Sequence, residues 1–299
     1  MLSGQAIGAI EELLASTDSA QGVVIQNGEV LLDWVGLDEP VDVFAVQKGI
    51  LTTLVGIAEE KYLLETLDHV NHHLDPEWTQ LSPWDEAKLS VDTLLSMTTG
   101  MADDLSLQGE INQTWRYNNV AYNYLKQILT RQSDMALQEL SRDWLFEPLG
   151  MGNSYWVDRD QKLPSGHAIS ALKSDARDIA SVGKLVLAKG EWDGTQLIPG
   201  YFVDQMLSQT PEENPAWSWG WWNNHSEFHL NPMRESQGPT QGSIVQAAPK
   251  DLIAARGAYG NYLHIVPSME LIIARTCVPG TEKPRGFEGL LWDLLNGNG

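Results

Sequence analysis

The chain has 299 residues, 42% of them hydrophobic, and its 19 basic and 40 acidic side chains give a formal charge of −21. This length and composition predict a globular protein with one large domain or with two lobes around a cleft. The negative charge disfavours binding to nucleic acid or to an anionic membrane surface. No apolar run is long enough to span a bilayer. We therefore expect no nucleic-acid partner and no membrane association.

The start of the chain and its cysteine content favour the cytoplasm. The segment "MLSGQAIGAIEELLAS" contains Glu11 and Glu12 and no basic region, which predicts an amphipathic helix rather than a signal peptide. Cys277 is the single cysteine, so an internal disulfide is excluded. Its apolar neighbours in "IIARTCVPG" predict a buried structural thiol.

The first half of the chain begins with a hairpin signal. Two β-rich runs in "GVVIQNGEVLLDWVG" are joined by Asn27-Gly28, a pair typical of tight hairpin turns. A long apolar helix is predicted over 44–64, followed by loops rich in Pro, Asp and Trp. Ser90 is the predicted N-cap of a short helix that ends at Gly100.

Further helices are predicted from "AYNYLKQILTRQ", from "ALQELSRDWLFEPLGM" and from "SDARDIASVGKLVLAKG". The second is expected to end at Pro148 and Gly150, and the third to run from a Ser174 cap to Gly190. The segment "NYLHIVPSMELIIARTCV" predicts two strands around a Pro-Ser turn, and "RGFEGLLWDLLNGNG" predicts a terminal helix.

These elements predict one two-lobed domain over residues 1–299, of the α/β class in the α+β sense. Because β segments and helices occur at both ends of the chain, we expect a sheet that both ends build together. The α/β lobe would comprise 1–64 and 164–299, and the helical lobe 65–163 would be an insertion.

The sequence offers little for metal, phosphate or cofactor binding. The histidine clusters are not embedded in a C-x-x-C or H-E-x-x-H pattern, and no glycine-rich phosphate loop lies between a strand and a helix. The expectation is therefore no metal and no cofactor. The run "AWSWGWWNN" predicts aromatic core packing and part of a cleft wall, with Trp221 as a candidate substrate contact.

Lys48 is the unusual residue of the first long helix. Burial of an unpaired ammonium is costly, so such a lysine either reaches water or has a function. Outright S-x-x-K patterns occur at Ser170 and Ser181, but the first is predicted in a loop and the second in the middle of a helix. The chemistry requires Ser and Lys on one face at a helix N-terminus. Lys48 has that context, with Ala45 at the serine position.

Several segments, in order along nearly the whole chain, resemble the serine β-lactamase and penicillin-binding-protein superfamily. The resemblance is to its class C β-lactamase-related esterases and amide hydrolases. The segments that carry it include "FAVQKGILTTLVGIAEEKYL", "VDTLLSMTTGM", "WRYNNVAYNYL", "EPLGMGNS", "WSWGWW" and "RGAYGNYLHIVPSMELIIART". The resemblance implies a β-lactamase/transpeptidase-like fold, with an antiparallel sheet flanked by helices and an inserted helical lobe.

The resemblance also implies roles for individual residues. Family members hydrolyse through an acyl-enzyme, in which the lysine and the tyrosine of Y-x-N share the proton transfers. Lys48 and Tyr117 match those two positions, and Asn119 matches the residue that binds the substrate amide and steadies the lysine. Two backbone N–H groups would form the oxyanion hole, one from Ala45 and one near Ala258.

Two departures from the family pattern affect the expected activity. Ala45 has no hydroxyl and cannot be acylated. The third motif reads Ala255-Arg256-Gly257 in place of K-T-G or H-x-G, so the cation for a substrate carboxylate is missing or displaced to Arg256. This favours neutral esters or linear amides over β-lactams, with Gly257 and Ala258 beside the substrate.

Ala45 has three possible explanations. It is an engineered substitution, or it marks a natural pseudoenzyme, which Gly49 in place of the family's usual Ser or Thr also fits. A third explanation is that Thr52, Thr53 or Thr99 serves as nucleophile, but the first two lie too far along the helix. The leading hypothesis is an inactive or nearly inactive hydrolase of a small ester or amide. The alternatives are a non-catalytic protein that binds a small molecule in the same cleft, and a scaffold with no ligand.

Overall fold

The computed structural model describes residues 1–232, 238–278 and 286–297. Its α-helices are α1 Gly4–Ala15, α2 Gln47–Glu60, α3 Pro83–Glu86, α4 Val91–Ser96, α5 Asn119–Ser133, α6 Leu137–Ser141, α7 Glu147–Leu149, α8 Ala176–Leu187, α9 Gly200–Ser208 and α10 Phe287–Leu295. Its strands are β1 Ser19–Gln26, β2 Glu29–Val35, β3 Val41–Asp42, β4 Tyr155–Lys162, β5 Ala168–Ser174, β6 Glu191–Trp192, β7 Thr195–Gln196, β8 Trp217–Ser218, β9 Trp221–Asn223, β10 Phe228–His229, β11 Thr240–Gln241, β12 Ile253–Gly257, β13 Asn261–Val266 and β14 Leu271–Cys277.

The main sheet joins the two ends of the chain, as the sequence predicts. Within the described residues its order is β2-β1-β14-β13-β12-β9-β8, and every neighbouring pair is antiparallel. Asn27 and Gly28 have φ of 53° and 79°, which closes the predicted hairpin between β1 and β2. The predicted strand pair around Pro267-Ser268 is β13 and β14. The α+β fold with an antiparallel sheet and flanking helices is confirmed.

Helices cover both faces of this sheet. On one face α1 and α10 pack together, and their apolar residues form one core cluster with side chains of β1, β13 and β14. On the other face α8 packs against β1, β13 and β14. That second core continues through α2 into the helical part of the chain. In the part of the chain that the structure describes, no helix combines the length and hydropathy of a membrane-spanning segment.

A small second sheet lies beside the start of α2. Its order is β3-β5-β4, and β3 leads directly into the segment before α2. Strand β4, Tyr155–Lys162, falls inside the range that the sequence assigned to the helical lobe. The division into lobes at 64 and 163 remains a prediction.

Several local predictions differ from the structure by a few residues. Ser90 caps α4 as expected, with a reciprocal capping box to Thr93, but the helix ends at Met97 in the left-handed conformation rather than at Gly100. The cap of α8 is Asp175, which accepts from the Asp178 N–H, and not Ser174. Cys277 is 2% exposed, which confirms the predicted buried thiol.

Candidate active site

The turn that leads into α2 places Ala45 at the wall of a cleft. Strand β3 ends at Asp42, whose Oδ1 accepts a hydrogen bond from the Phe44 N–H at 2.8 Å. Phe44 has φ of 50°, and a single 3₁₀ turn over Phe44–Val46 precedes α2. The predicted helix at 44–64 is therefore shorter, Gln47–Glu60. Ala45 is half-buried and lines a cleft of about 840 Å³.

Lys48 lies in the first turn of α2 and is 6% exposed. Its Nζ donates to Asn119 Oδ1 at 2.7 Å and lies 4.8 Å from the centroid of the Tyr117 ring. Burial, followed by the positive charge of Arg159, lowers the pKa of Lys48 to about 7. A lysine with this pKa exchanges its proton near neutral pH, as a general base must.

Tyr117 and Asn119 reach Lys48 because of how α5 begins. Asn118 caps α5 by accepting from the Ala121 N–H at 2.8 Å, and its Nδ2 donates to the Met101 and Ala102 carbonyls. This cap fixes the residues on either side of it at the cleft. Burial raises the pKa of Tyr117 well above its ordinary value, so its phenol stays protonated.

The end of β12 forms a corner with the turn before α2. A Cβ added at Gly257 would lie 2.3 Å from the Val43 carbonyl oxygen and 3.3 Å from the Ala45 nitrogen, so only glycine permits this approach. Ala258 follows in a 3₁₀ turn, where Tyr259 packs on Phe44 with ring centroids 5.1 Å apart. The two backbone segments expected to form the oxyanion hole therefore lie side by side.

Arg256 is held by a buried carboxylate. Its guanidinium pairs with Glu288 of α10, with Nε to Oε1 at 3.1 Å, and His264 Nε2 lies 3.0 Å from the same oxygen. Burial opposes ionisation of Glu288, but Arg256 and then His264 hold its pKa at about 2. This ion pair fixes the guanidinium of Arg256 against α10, and Arg256 also lines the cleft.

Trp221 is not at the substrate surface. It is fully buried and packs against α2, where a Cβ added at Gly49 would lie 2.8 Å from Cε2 of its indole. Its neighbour Trp222 lines the cleft instead. The structure thus corrects the expected contact by one residue, and Gly49 is explained by packing against Trp221.

The alternative hydroxyls lie outside the cleft. Thr52 is fully buried and bonds the Lys48 carbonyl at 3.0 Å and the Tyr122 hydroxyl at 2.8 Å. Thr53 and Thr99 are also buried, and none of the three lines the cleft. By contrast, Ser170 lines the cleft from strand β5, where the sequence predicted a loop, and its hydroxyl donates to Asp158 at 2.9 Å. Ser181 lies in the middle of α8, so neither serine of the S-x-x-K patterns begins a helix.

Two basic side chains of the cleft were not predicted from the sequence. Lys126 lies on α5 seven residues after Asn119, so two helical turns bring both to one face, and this spacing was a usable signal. Arg159 comes from β4 and pairs with Asp42 at 2.5 Å. Its position depends on pairing within the small sheet, for which the sequence carries no local signal.

The assembled cleft brings together most of the site residues that the sequence predicted. Lys48, Tyr117 and Asn119 lie together, and Gly257 and Ala258 border the same space as Ala45. Among the described residues no group of three or more His, Cys, Asp or Glu side chains is arranged to hold a metal ion.

Comparison with known proteins agrees with this geometry. The family model "Beta-lactamase" matches residues 7–279. A search of curated proteins gave no match. Among solved structures, a putative β-lactamase from Bacteroides dorei superposes with a TM-score of 0.72 at 16% identity, covering 100% of this chain and 98% of that one.

Two other structures are similar at the level of the fold. A putative 6-aminohexanoate-dimer hydrolase from Bacillus anthracis has a TM-score of 0.73 at 16% identity, over 96% of this chain and 80% of that one. A class C β-lactamase from Rhodobacter sphaeroides has a TM-score of 0.68 at 16% identity, over 99% of both chains. The family match spans most of the sequence, and the fold agrees with it. The chain belongs to the β-lactamase family.

Proposed function

We propose that the cleft binds a small ester or amide, and that the chain is a hydrolase of the β-lactamase family that lacks its nucleophile. In the parent reaction a serine at position 45 attacks the carbonyl, and the oxyanion lies between the backbones at positions 45 and 258. Lys48 and Tyr117 pass the serine proton to the alcohol or amine that leaves as the ester or amide bond breaks, and water then hydrolyses the acyl-enzyme. Ala45 removes the attacking oxygen, so no acyl-enzyme forms.

The observation that carries this proposal is the geometry around Lys48. Its ammonium bonds Asn119 at 2.7 Å, lies 4.8 Å from the Tyr117 ring centroid, and has a pKa lowered to about 7. A lysine with this pKa, within reach of position 45 and beside Tyr117 and Asn119, suits the role of base for a serine hydroxyl. Ala45 lines the cleft and is half-buried, which supports room for a hydroxyl there.

The alternative function is a binding protein that no longer supports turnover. The ion pair of Arg256 with Glu288 favours the binding protein. Arg256 is the cation of the third motif, and it pairs with a carboxylate of the protein itself. The packing of Gly49 against Trp221 favours it as well, because Gly49 replaces the family's usual Ser or Thr and the Trp221 indole fills the space beside it. In this case the cleft binds an acyl compound but gains no activity from a restored serine.

The test is restoration of the serine. The chain and its Ala45→Ser variant are treated with a fluorophosphonate probe, and intact mass is read together with turnover of p-nitrophenyl butyrate and nitrocefin. We expect the variant alone to gain the probe mass and to cleave the ester. Nitrocefin hydrolysis is expected to stay weak, because Arg256 is paired with Glu288.

The control is the double variant Ala45→Ser, Lys48→Met, in which the serine is present without its base. Labelling of the single variant with loss of labelling in the double variant supports the hydrolase. A serine that is never labelled, in a chain that binds the neutral ligand N-phenylpentanamide, supports the binding protein. No labelling and no binding would overturn both.

A further inference from the structure

A second buried lysine lies in the cleft, and the reaction assigned to Lys48 does not use it. Lys126 of α5 is 7% exposed and lines the cleft. Its Nζ donates to the Ser170 carbonyl at 2.7 Å and to Gln47 Oε1 at 3.2 Å, and lies 4.5 Å from the centroid of the Trp156 ring. Each of these partners is neutral.

The charges around Lys126 do not neutralise it. Within the described residues it forms no salt bridge. Asp42 of β3 is paired with Arg159, and Asp158 of β4 is exposed and accepts from the Ser170 hydroxyl at 2.9 Å. Burial, followed by Lys48 and then Arg159, lowers the pKa of Lys126 to about 7, with Asp42 and Asp158 opposing this.

The ammonium retains a donor for a ligand. A lysine ammonium has three N–H groups, and among the described residues its hydrogen-bond acceptors are the Ser170 carbonyl and the Gln47 amide oxygen. Gln47 belongs to the first turn of α2, two residues after Ala45. A ligand group on Lys126 is therefore held beside the turn that carries the nucleophile position.

We propose that Lys126, with Arg159 beside it, is a binding subsite for one carboxylate carried by the acyl ligand. This rests on the proposed function, because it places the carboxylate on the compound whose carbonyl lies near Ala45. The subsite matches a ligand with one negative charge. Asp42 already balances the charge of Arg159, so the Lys126 ammonium is the positive charge left for the ligand. The subsite lies on the wall of α5 and β4, whereas Arg256 of β12 is paired with Glu288.

The experiment compares two ligands that differ in that charge. Calorimetric titration of the unmodified chain at about pH 6.5 uses glutaric acid monoanilide, which has a free carboxylate, and N-phenylpentanamide, which has none. We expect the acid to bind at least about tenfold more tightly. Lys126→Met is expected to remove about tenfold from the affinity for the acid and to leave the neutral anilide unchanged.

Lys61→Met is the matched control. Lys61 also lies over an indole, 5.4 Å from the Trp144 centroid, but it is exposed and does not line the cleft. Its replacement is expected to change neither affinity. Retention of the acid preference in Lys126→Met would overturn the subsite, as would equal binding of acid and neutral anilide by the unmodified chain.

Other outcomes separate this inference from the proposed function. If neither anilide binds while Ala45→Ser is labelled by the fluorophosphonate, the subsite is overturned and the hydrolase stands. If neither anilide binds and Ala45→Ser is not labelled, the cleft is not an acyl site and both proposals fail.

Discussion

Replacement of Lys48 by methionine is expected to stabilise the folded protein at neutral pH. Lys48 is 6% exposed, and burial with Arg159 lowers its pKa from 10.5 to about 7. Since one pKa unit is about 1.4 kcal/mol, the charged ammonium costs the folded state about 5 kcal/mol. Methionine removes this cost but also the bonds to Asn119 and Tyr117, worth about 1–2 kcal/mol together. We expect a net gain of about 3 kcal/mol in the free energy of unfolding.

The pH dependence of this gain follows from proton linkage. The folded-state pKa of Lys48 is the lower one, so the unfolded chain binds more protons between about pH 7 and pH 10.5. Stability of the unmodified chain therefore rises with pH in this window, and the variant lacks that contribution. The difference between the two proteins is largest at or below pH 7 and disappears towards pH 10.

Urea denaturation followed by tryptophan fluorescence, at intervals from about pH 6 to pH 10, measures this difference. The exposed Lys61→Met variant is the control and is expected to remain within about 0.5 kcal/mol of the unmodified chain. If Lys48→Met is less stable at pH 7, or if its advantage is the same at every pH, Lys48 is not a desolvated ammonium. Lys48 would then lack the lowered pKa that suits it to act as a base.

Three further predictions concern packing, catalysis and the buried ion pair. Gly49→Ser should destabilise the fold by about 1–3 kcal/mol in thermal unfolding, because its Cβ would lie 2.8 Å from Trp221, and Trp221→Phe should recover part of this loss. The rate of fluorophosphonate labelling of Ala45→Ser should rise as pH increases through about 7, where Lys48 loses its proton. Glu288→Gln should cost about 3 kcal/mol at pH 7. That cost should diminish in acid denaturation series as pH falls from 4.5 towards about 2, where the native carboxylate is protonated.

The parts of the site that the sequence predicted are those fixed by local structure. Lys48 follows Ala45 by one helical turn, and Tyr117 and Asn119 flank the Asn118 that caps α5. Once the fold brings α2 and α5 together, these residues meet without any further choice of side-chain direction. The resemblance to the family assigned these residues to the site, and the turn before α2 and the cap of α5 hold them there.

The prediction was wrong where the position of a side chain depends on pairing between strands that are distant in sequence. Trp221 and Trp222 are adjacent and chemically identical, and the choice of which indole lines the cleft is made by pairing of Trp222 with Ala254 across β9 and β12. The space left by Gly49 then receives Trp221. Neither contact is visible in the run "AWSWGWWNN", because alternation within the run cannot fix which face is buried when both faces meet protein.

The two buried lysines bear on the origin of Ala45. Most proteins lie just above a stability threshold, so substitutions that relieve a buried charge are readily accepted when the charge has no use. Lys48 and Lys126 both have pKa values lowered to about 7, mainly by burial. A cleft that had lost its serine long ago and bound nothing would be free to replace either of them.

The presence of both lysines supports a recent or engineered loss of the serine, or a binding protein, and opposes a scaffold without a ligand. A recent or engineered loss of the serine leaves both lysines in place because Lys48 served the reaction and Lys126 bound the substrate, whereas a binding protein keeps them because its ligand uses their charge. A scaffold without a ligand explains neither. The first two explanations make opposite predictions for Ala45→Ser. After a recent loss, this variant regains ester hydrolysis, and the added Lys48→Met substitution abolishes it; in a binding protein, Ala45→Ser stays inactive.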